Sequence, residues 1–108
     1  MSNIYDDKYL SYRAFDADTT VYRLDVSGVS ASIPLPPGGY YAQLVGTTGA
    51  DHALIRHGAA AALPASGASG AGYVLPVGSA ITFRLTATTT MHAITDAGTA
   101  RLYLIKAT

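Results

Sequence analysis

The chain has 108 residues, enough for one domain near the commonest size, and folding at that length buries roughly two-thirds of the surface an unfolded chain exposes. It has no cysteine, so neither disulfides nor thiolate metal sites contribute, and the redox compartment is left open. Seven Lys and Arg balance seven acidic residues, all of them Asp, which argues against the basic stripe of a nucleic-acid binder and against electrostatic attachment to an anionic membrane.

Charged residues make up only 13% of the chain, which protects a surface poorly against association and suits a protein covered by a partner or by copies of itself. No apolar stretch approaches the length that spans a bilayer. Met1 to Lys8 lacks the basic start and apolar block of a secretion signal. Residues 1–12 read as an N-terminal arm ahead of a single domain at 13–108. The arm carries Ile4, Tyr5, Tyr9, Leu10 and Tyr12 among Asp6, Asp7 and Lys8. So many aromatic groups are costly to leave in water, so the arm is expected to pack on its own domain or on a neighbour's. Ile4, Tyr5, Tyr9 and Tyr12 are its candidate protein-interface anchors.

From residue 13 onward the vocabulary is that of strands and turns. Glu is absent, and Gly, Thr, Val, Tyr and Pro punctuate the sequence. Asp16-Ala17-Asp18 superficially resembles the start of a calcium loop, but the turn Gly and closing Glu are missing, so an Asx-type turn is expected there. Tyr22, Leu24 and Val26 alternate with Arg23 and Asp25, and Val29, Ala31 and Ile33 alternate with Ser30 and Ser32. A turn at Pro36 to Gly39 leads into Tyr40 to Val45, and a further strand is expected at His52 to His57.

Ala59 to Leu63 is the best helix candidate, yet so short a run cannot repay nucleation, and a short strand or loop is expected. Pro64 to Gly72 is a flexible small-residue loop, either a simple connection or one that orders against a partner. Tyr73 to Leu75 stops at Pro76. Ile81, Phe83 and Leu85 then face a core, Met91 to Ile94 forms a short strand, and Asp96-Ala97-Gly98 a tight turn. In the last strand, Ala100 to Lys106, both faces are apolar, as in a strand covered on both sides. About eight strands result, with no βαβ unit. The fold class is all-β, a two-sheet antiparallel sandwich of the jelly-roll kind.

Chemistry-bearing motifs are sparse. His52 and His57 lie five apart in one strand and project to opposite faces, and no carboxylate set accompanies them or His92, so no metal is expected. Gly67-Ala68-Ser69-Gly70 falls short of a nucleophile elbow and lacks its strand-to-helix context. Asp51 beside His52 is a neighbour pair rather than a dyad. No Gly-rich phosphate motif followed by Lys is present. No catalytic residues and no cofactor are expected, and the protein reads as a non-enzyme. A glycan platform is weakly provided for: there is no Trp, Gln43 is the single Gln, and Tyr40 and Tyr41 face opposite ways.

Three segments combine proline–glycine turns with tyrosine- and leucine-bearing strands. They are Ile33-Pro34-Leu35-Pro36-Pro37-Gly38-Gly39-Tyr40-Tyr41-Ala42-Gln43-Leu44, Gly72-Tyr73-Val74-Leu75-Pro76-Val77-Gly78-Ser79, and Ala97-Gly98-Thr99-Ala100-Arg101-Leu102-Tyr103-Leu104. In them the chain resembles the jelly-roll capsid cement, or decoration, proteins of short-tailed bacteriophages, like that of the Bordetella phage, over residues 20 to 106. The resemblance implies a virion structural protein, made in the host cytoplasm. It would be bound to the outer capsid surface, bridge major capsid subunits against the pressure of packaged DNA, and often be a homodimer on two-fold positions. The other reading is a receptor- or glycan-binding module of a phage tail or bacterial surface protein.

Overall fold

A computed structural model describes residues 19–107. Within them eight strands form: β1 (Thr20–Val26), β2 (Ala31–Leu35), β3 (Gly38–Thr48), β4 (His52–His57), β5 (Tyr73–Pro76), β6 (Ala80–Leu85), β7 (Thr89–Thr95) and β8 (Thr99–Lys106). The arm with Ile4, Tyr5, Tyr9 and Tyr12, and the turn at Asp16 to Asp18, lie outside the described residues.

The strands make two four-stranded antiparallel sheets, β1-β8-β3-β6 (the first sheet) and β2-β7-β4-β5 (the second). The pairs β1·β8, β2·β7, β3·β6 and β4·β5 are those of one long antiparallel hairpin. The ladders β3·β8 and β4·β7 roll that hairpin up on itself, which is the wrapping of a jelly roll. This order puts the β1–β2, β3–β4, β5–β6 and β7–β8 turns at one end of the sandwich.

Alternation decides which side chains meet between the sheets. Leu24 and Val26 of β1, Tyr40, Ala42 and Leu44 of β3, and Leu102 and Leu104 of β8 point inward from the first sheet. Leu35, Ala53, Ile55, Leu75, Met91 and Ala93 meet them from the second. Each large aliphatic group removed from water here contributes about 1.5–3 kcal/mol. Val29, expected to continue the β2 alternation, lies instead in the β1–β2 turn and is 76% exposed, because the strand begins only at Ala31.

The two outer faces differ. Over the second sheet, the β4–β5 connection is held by three hydrogen bonds. Gly58 N–H donates to the Thr90 carbonyl (2.8 Å), the Arg56 guanidinium to the Ala60 carbonyl (3.3 Å), and Ala61 N–H to the Ser30 hydroxyl (3.0 Å). Ala61 is buried in consequence, as is Leu54, an outward-pointing β4 residue that Gly72 closely abuts. The connection forms no helix at Ala59 to Leu63, and Pro64 to Gly72 stay exposed. Among the described residues, the first sheet carries no such connection on its outer face.

Candidate functional site

The outer face of the first sheet gathers side chains from three neighbouring strands into registered rows. Val21 and Tyr41 flank Ile105, Arg23 and Gln43 flank Tyr103, and Asp25 and Val45 flank Arg101. Directly opposed residues on one face have Cβ atoms about 4.5–5.5 Å apart, so each row is continuous. Tyr41, Tyr103 and Ile105 are half-buried, whereas Val21, Arg23, Gln43, Val45 and Arg101 are exposed.

Among the described residues no further element lies over the outer side of β8, on which Tyr103 and Ile105 are half-buried. Among the described residues, its apolar groups are shielded by the long side chains beside them. Salt-bridged Arg23 and Asp25 (3.1 Å) stand at one margin. Beyond the Asp25–Arg101 row the face dips into an open groove of about 310 Å³, lined by Asp25, Ser27, Thr47, Thr99 and Arg101. The hydroxyls of Thr47 and Thr99, both in its lining, meet at 2.6 Å. Nothing in this arrangement activates a nucleophile. Its chemistry is that of contact: flat aromatic and apolar surface, an amide, and arginines able to pair with carboxylates.

The histidines are separated as their spacing demands. His57 ends β4 on the inner-facing side but is exposed at the rim, its ring 4.9 Å from that of Phe83, which stacks on Tyr40 at 5.4 Å. His52 lies on the opposite face, its Nδ1 2.8 Å from an Asp51 carboxylate oxygen in an exposed pair. His92 opposes Arg56 across β4 and β7. Among the described residues no three His, Asp, Glu or Cys side chains come together, and no buried side-chain polar atom lacks a hydrogen-bond partner. Ser69 lies in the exposed β4–β5 connection.

Partial burial lowers the His57 pKa below the ordinary histidine value. The unfolded chain therefore takes up the proton first as pH falls, and the stability present above about pH 6.5 declines toward the native pKa. Thermal melts at pH 7.5 and pH 5 are expected to show this loss, and His57→Gln is expected to reduce it. An identical pH dependence in the variant would assign the effect to other groups.

Tyr40 and Tyr41 do face opposite ways: Tyr40 is core, 1% exposed, and Tyr41 lies on the outer face. The alternation of β3 already sets Gln43 beside Tyr41, but sequence reading missed that Tyr103 joins them, because it comes from a strand distant in the chain. Comparison with family models, with curated proteins and with solved structures returned no match.

Proposed function

We propose that this chain is a non-enzymatic virion protein that seats on the outer surface of an assembled capsid and bridges adjacent major capsid subunits, with a second copy of itself as its other partner. The observation that carries the reading is the outer face of the first sheet. It combines Tyr41, Tyr103 and Ile105 with Arg23 and Arg101 on a rigid platform, and aromatic residues and arginine are the types enriched in protein interfaces. The jelly roll below it is a brace with its core fully used in packing. The three sequence segments that resemble short-tailed phage cement proteins point the same way. Packaged DNA presses a shell outward, and many identical contacts across its joints resist separation together even when each is modest.

The test is occupancy on purified capsids. Tyr103→Ala is expected to keep the far-ultraviolet spectrum of a folded β protein and to weaken capsid binding about 30-fold, as loss of a central interface aromatic does. Removal of residues 1–12, the arm bearing Ile4, Tyr5, Tyr9 and Tyr12, is expected to weaken it further. Undiminished occupancy in both variants would dispose of the assignment.

One observation favours a second reading. Tyr41, Gln43 and Tyr103 share a face, so an aromatic surface with an amide is available to a glycan of a cell surface. Glycan-array binding lost in Tyr103→Ala, with no affinity for capsids, would select that reading over the first.

A further inference from the structure

Among the described residues four strand edges close the two sheets, and three of them are poorly suited to receive another strand. β2 has five residues with Pro34 the fourth of them, and β5 has four, ending in Pro76. Proline removes a ladder donor, and short edges discourage pairing. β6 contributes a single charged residue, Arg84, and no acid to set a register. β1 differs. It has seven residues, Thr20–Val26, without proline or bulge, and among the described residues it pairs only with β8.

The β1 sequence is self-complementary. In an antiparallel pair of two β1 strands, inner faces stay together only in registers whose paired numbers sum to an even value, since a one-residue slip exchanges the faces. Among the registers near the strand centre, pairing Arg23 with its own copy opposes two guanidinium groups. Pairing Asp25 with its copy opposes two carboxylates. Only the register with Leu24 opposite Leu24 places each Arg23 against an Asp25 of the other chain. That same register sets Tyr22 against Val26, so the inner side stays apolar and the outer side carries two cross-strand ion pairs. Opposite charges directly across a ladder stabilise it and like charges oppose it. Arg23 and Asp25 already hold each other within one strand at 3.1 Å, with half or more of each side chain in water, so both are placed to exchange partners.

We infer that two copies of this chain pair through β1 edges about a two-fold axis at Leu24, joining their first sheets into one continuous eight-stranded sheet. Two-fold symmetry makes the contact closed and isologous, so it stops at a dimer. The pair would present both outer faces, each with its Tyr103 row, side by side. This deepens the reading of the chain as its own second partner, yet it concerns the isolated protein and is tested without capsids. A monomer that still binds capsids would overturn the pairing alone, and a dimer that does not bind them would overturn the capsid reading alone.

Sedimentation equilibrium of the full chain gives the test. Wild type is expected to be dimeric. Arg23→Asp and Asp25→Arg, each checked for folding by circular dichroism, are expected to weaken dimerisation roughly 10- to 100-fold, because each turns both cross-strand pairs into like charges. An equimolar mixture of the two variants is expected to recover the dimer. In the mixed pair every cross-strand contact is again opposite in charge, while neither chain regains its own Arg23–Asp25 bridge. Recovery on mixing therefore reports pairing between chains and not repair within one. A wild-type monomer at the highest soluble concentration, single variants that dimerise like wild type, or folded variants that fail to pair when mixed would each overturn the inference.

Discussion

Gly98→Ala is expected to unfold the domain or leave it barely folded. Gly98 closes the β7–β8 turn at φ +68°, a left-handed conformation that costs a residue with a Cβ about 1–2 kcal/mol. The larger effect is steric. A Cβ there would overlap the Thr48 carbonyl oxygen and lie 2.5 Å from the Ala50 nitrogen, and these are backbone atoms that cannot rotate aside. The turn is fixed in that position from several sides. Thr95, 1% exposed, donates its hydroxyl to the Gly98 carbonyl (2.9 Å) and its N–H to Ser27 (2.9 Å), while Gly49 and Thr99 form a bridge beside it. Relief by backbone movement would break this junction between β3, β7 and the β1–β2 turn.

We expect a loss of at least about 4 kcal/mol, a large share of the roughly 5–15 kcal/mol that holds a domain together. Gly78→Ala separates the two causes. Its φ of +85° is similar, but no atom lies within 4 Å of the added Cβ, so about 1 kcal/mol should be lost. Urea titrations of the pair measure both. Equal losses in the two variants would remove the steric account of Gly98.

That contrast shows where sequence reading succeeded and where it stopped. Asp96-Ala97-Gly98 is legible as a turn because glycine tolerates the required backbone angles, but its contact with Thr48 to Ala50 depends on how the hairpin is rolled. Strand positions were legible where one face is buried. His52–His57 has the bounds its alternation indicates, and Ile81, Phe83 and Leu85 do face inward. β3 and β7 run longer than their apolar alternation suggests, to Thr48 and from Thr89 to Thr95, because ladder pairing continues through Thr48, Thr89 and Thr90, none of them buried, and through Thr95, a buried polar residue that an apolar pattern does not mark.

The outer face was the least legible part. A strand's own alternation says that Tyr103 and Ile105 share a side, but not that Tyr41, Gln43 and Arg23 stand next to them. Those neighbours are set by the β1·β8 and β3·β8 registers, which are pairings between opposite ends of the chain.

Tyr40→Ala is expected to cost about 3–5 kcal/mol, the range for removing a fully buried aromatic ring. Tyr40 is 1% exposed and lies at the centre of a cluster closing the end of the sandwich opposite the Gly98 turn, stacked on Phe83 at 5.4 Å and tilted against Tyr22 at 6.5 Å. Phe83 in turn meets His57, so the loss would open the environment that lowers the His57 pKa. Tyr40→Phe separates ring from hydroxyl. The ring contacts stay, while the Pro36 carbonyl loses the hydroxyl that donates to it, a change of about 1–2 kcal/mol.

Burial, and secondarily Tyr22, raises the Tyr40 pKa above the ordinary tyrosine value. The unfolded chain therefore releases this proton first, and stability is lost as pH climbs from about 10 toward the native pKa. Tyr40→Phe removes that contribution, so denaturant midpoints of wild type and variant should converge as the solution is made alkaline. A gap that stays constant from neutral to alkaline pH would show that Tyr40 releases its proton as readily in the folded as in the unfolded chain, which burial and the bond its hydroxyl donates to Pro36 both oppose.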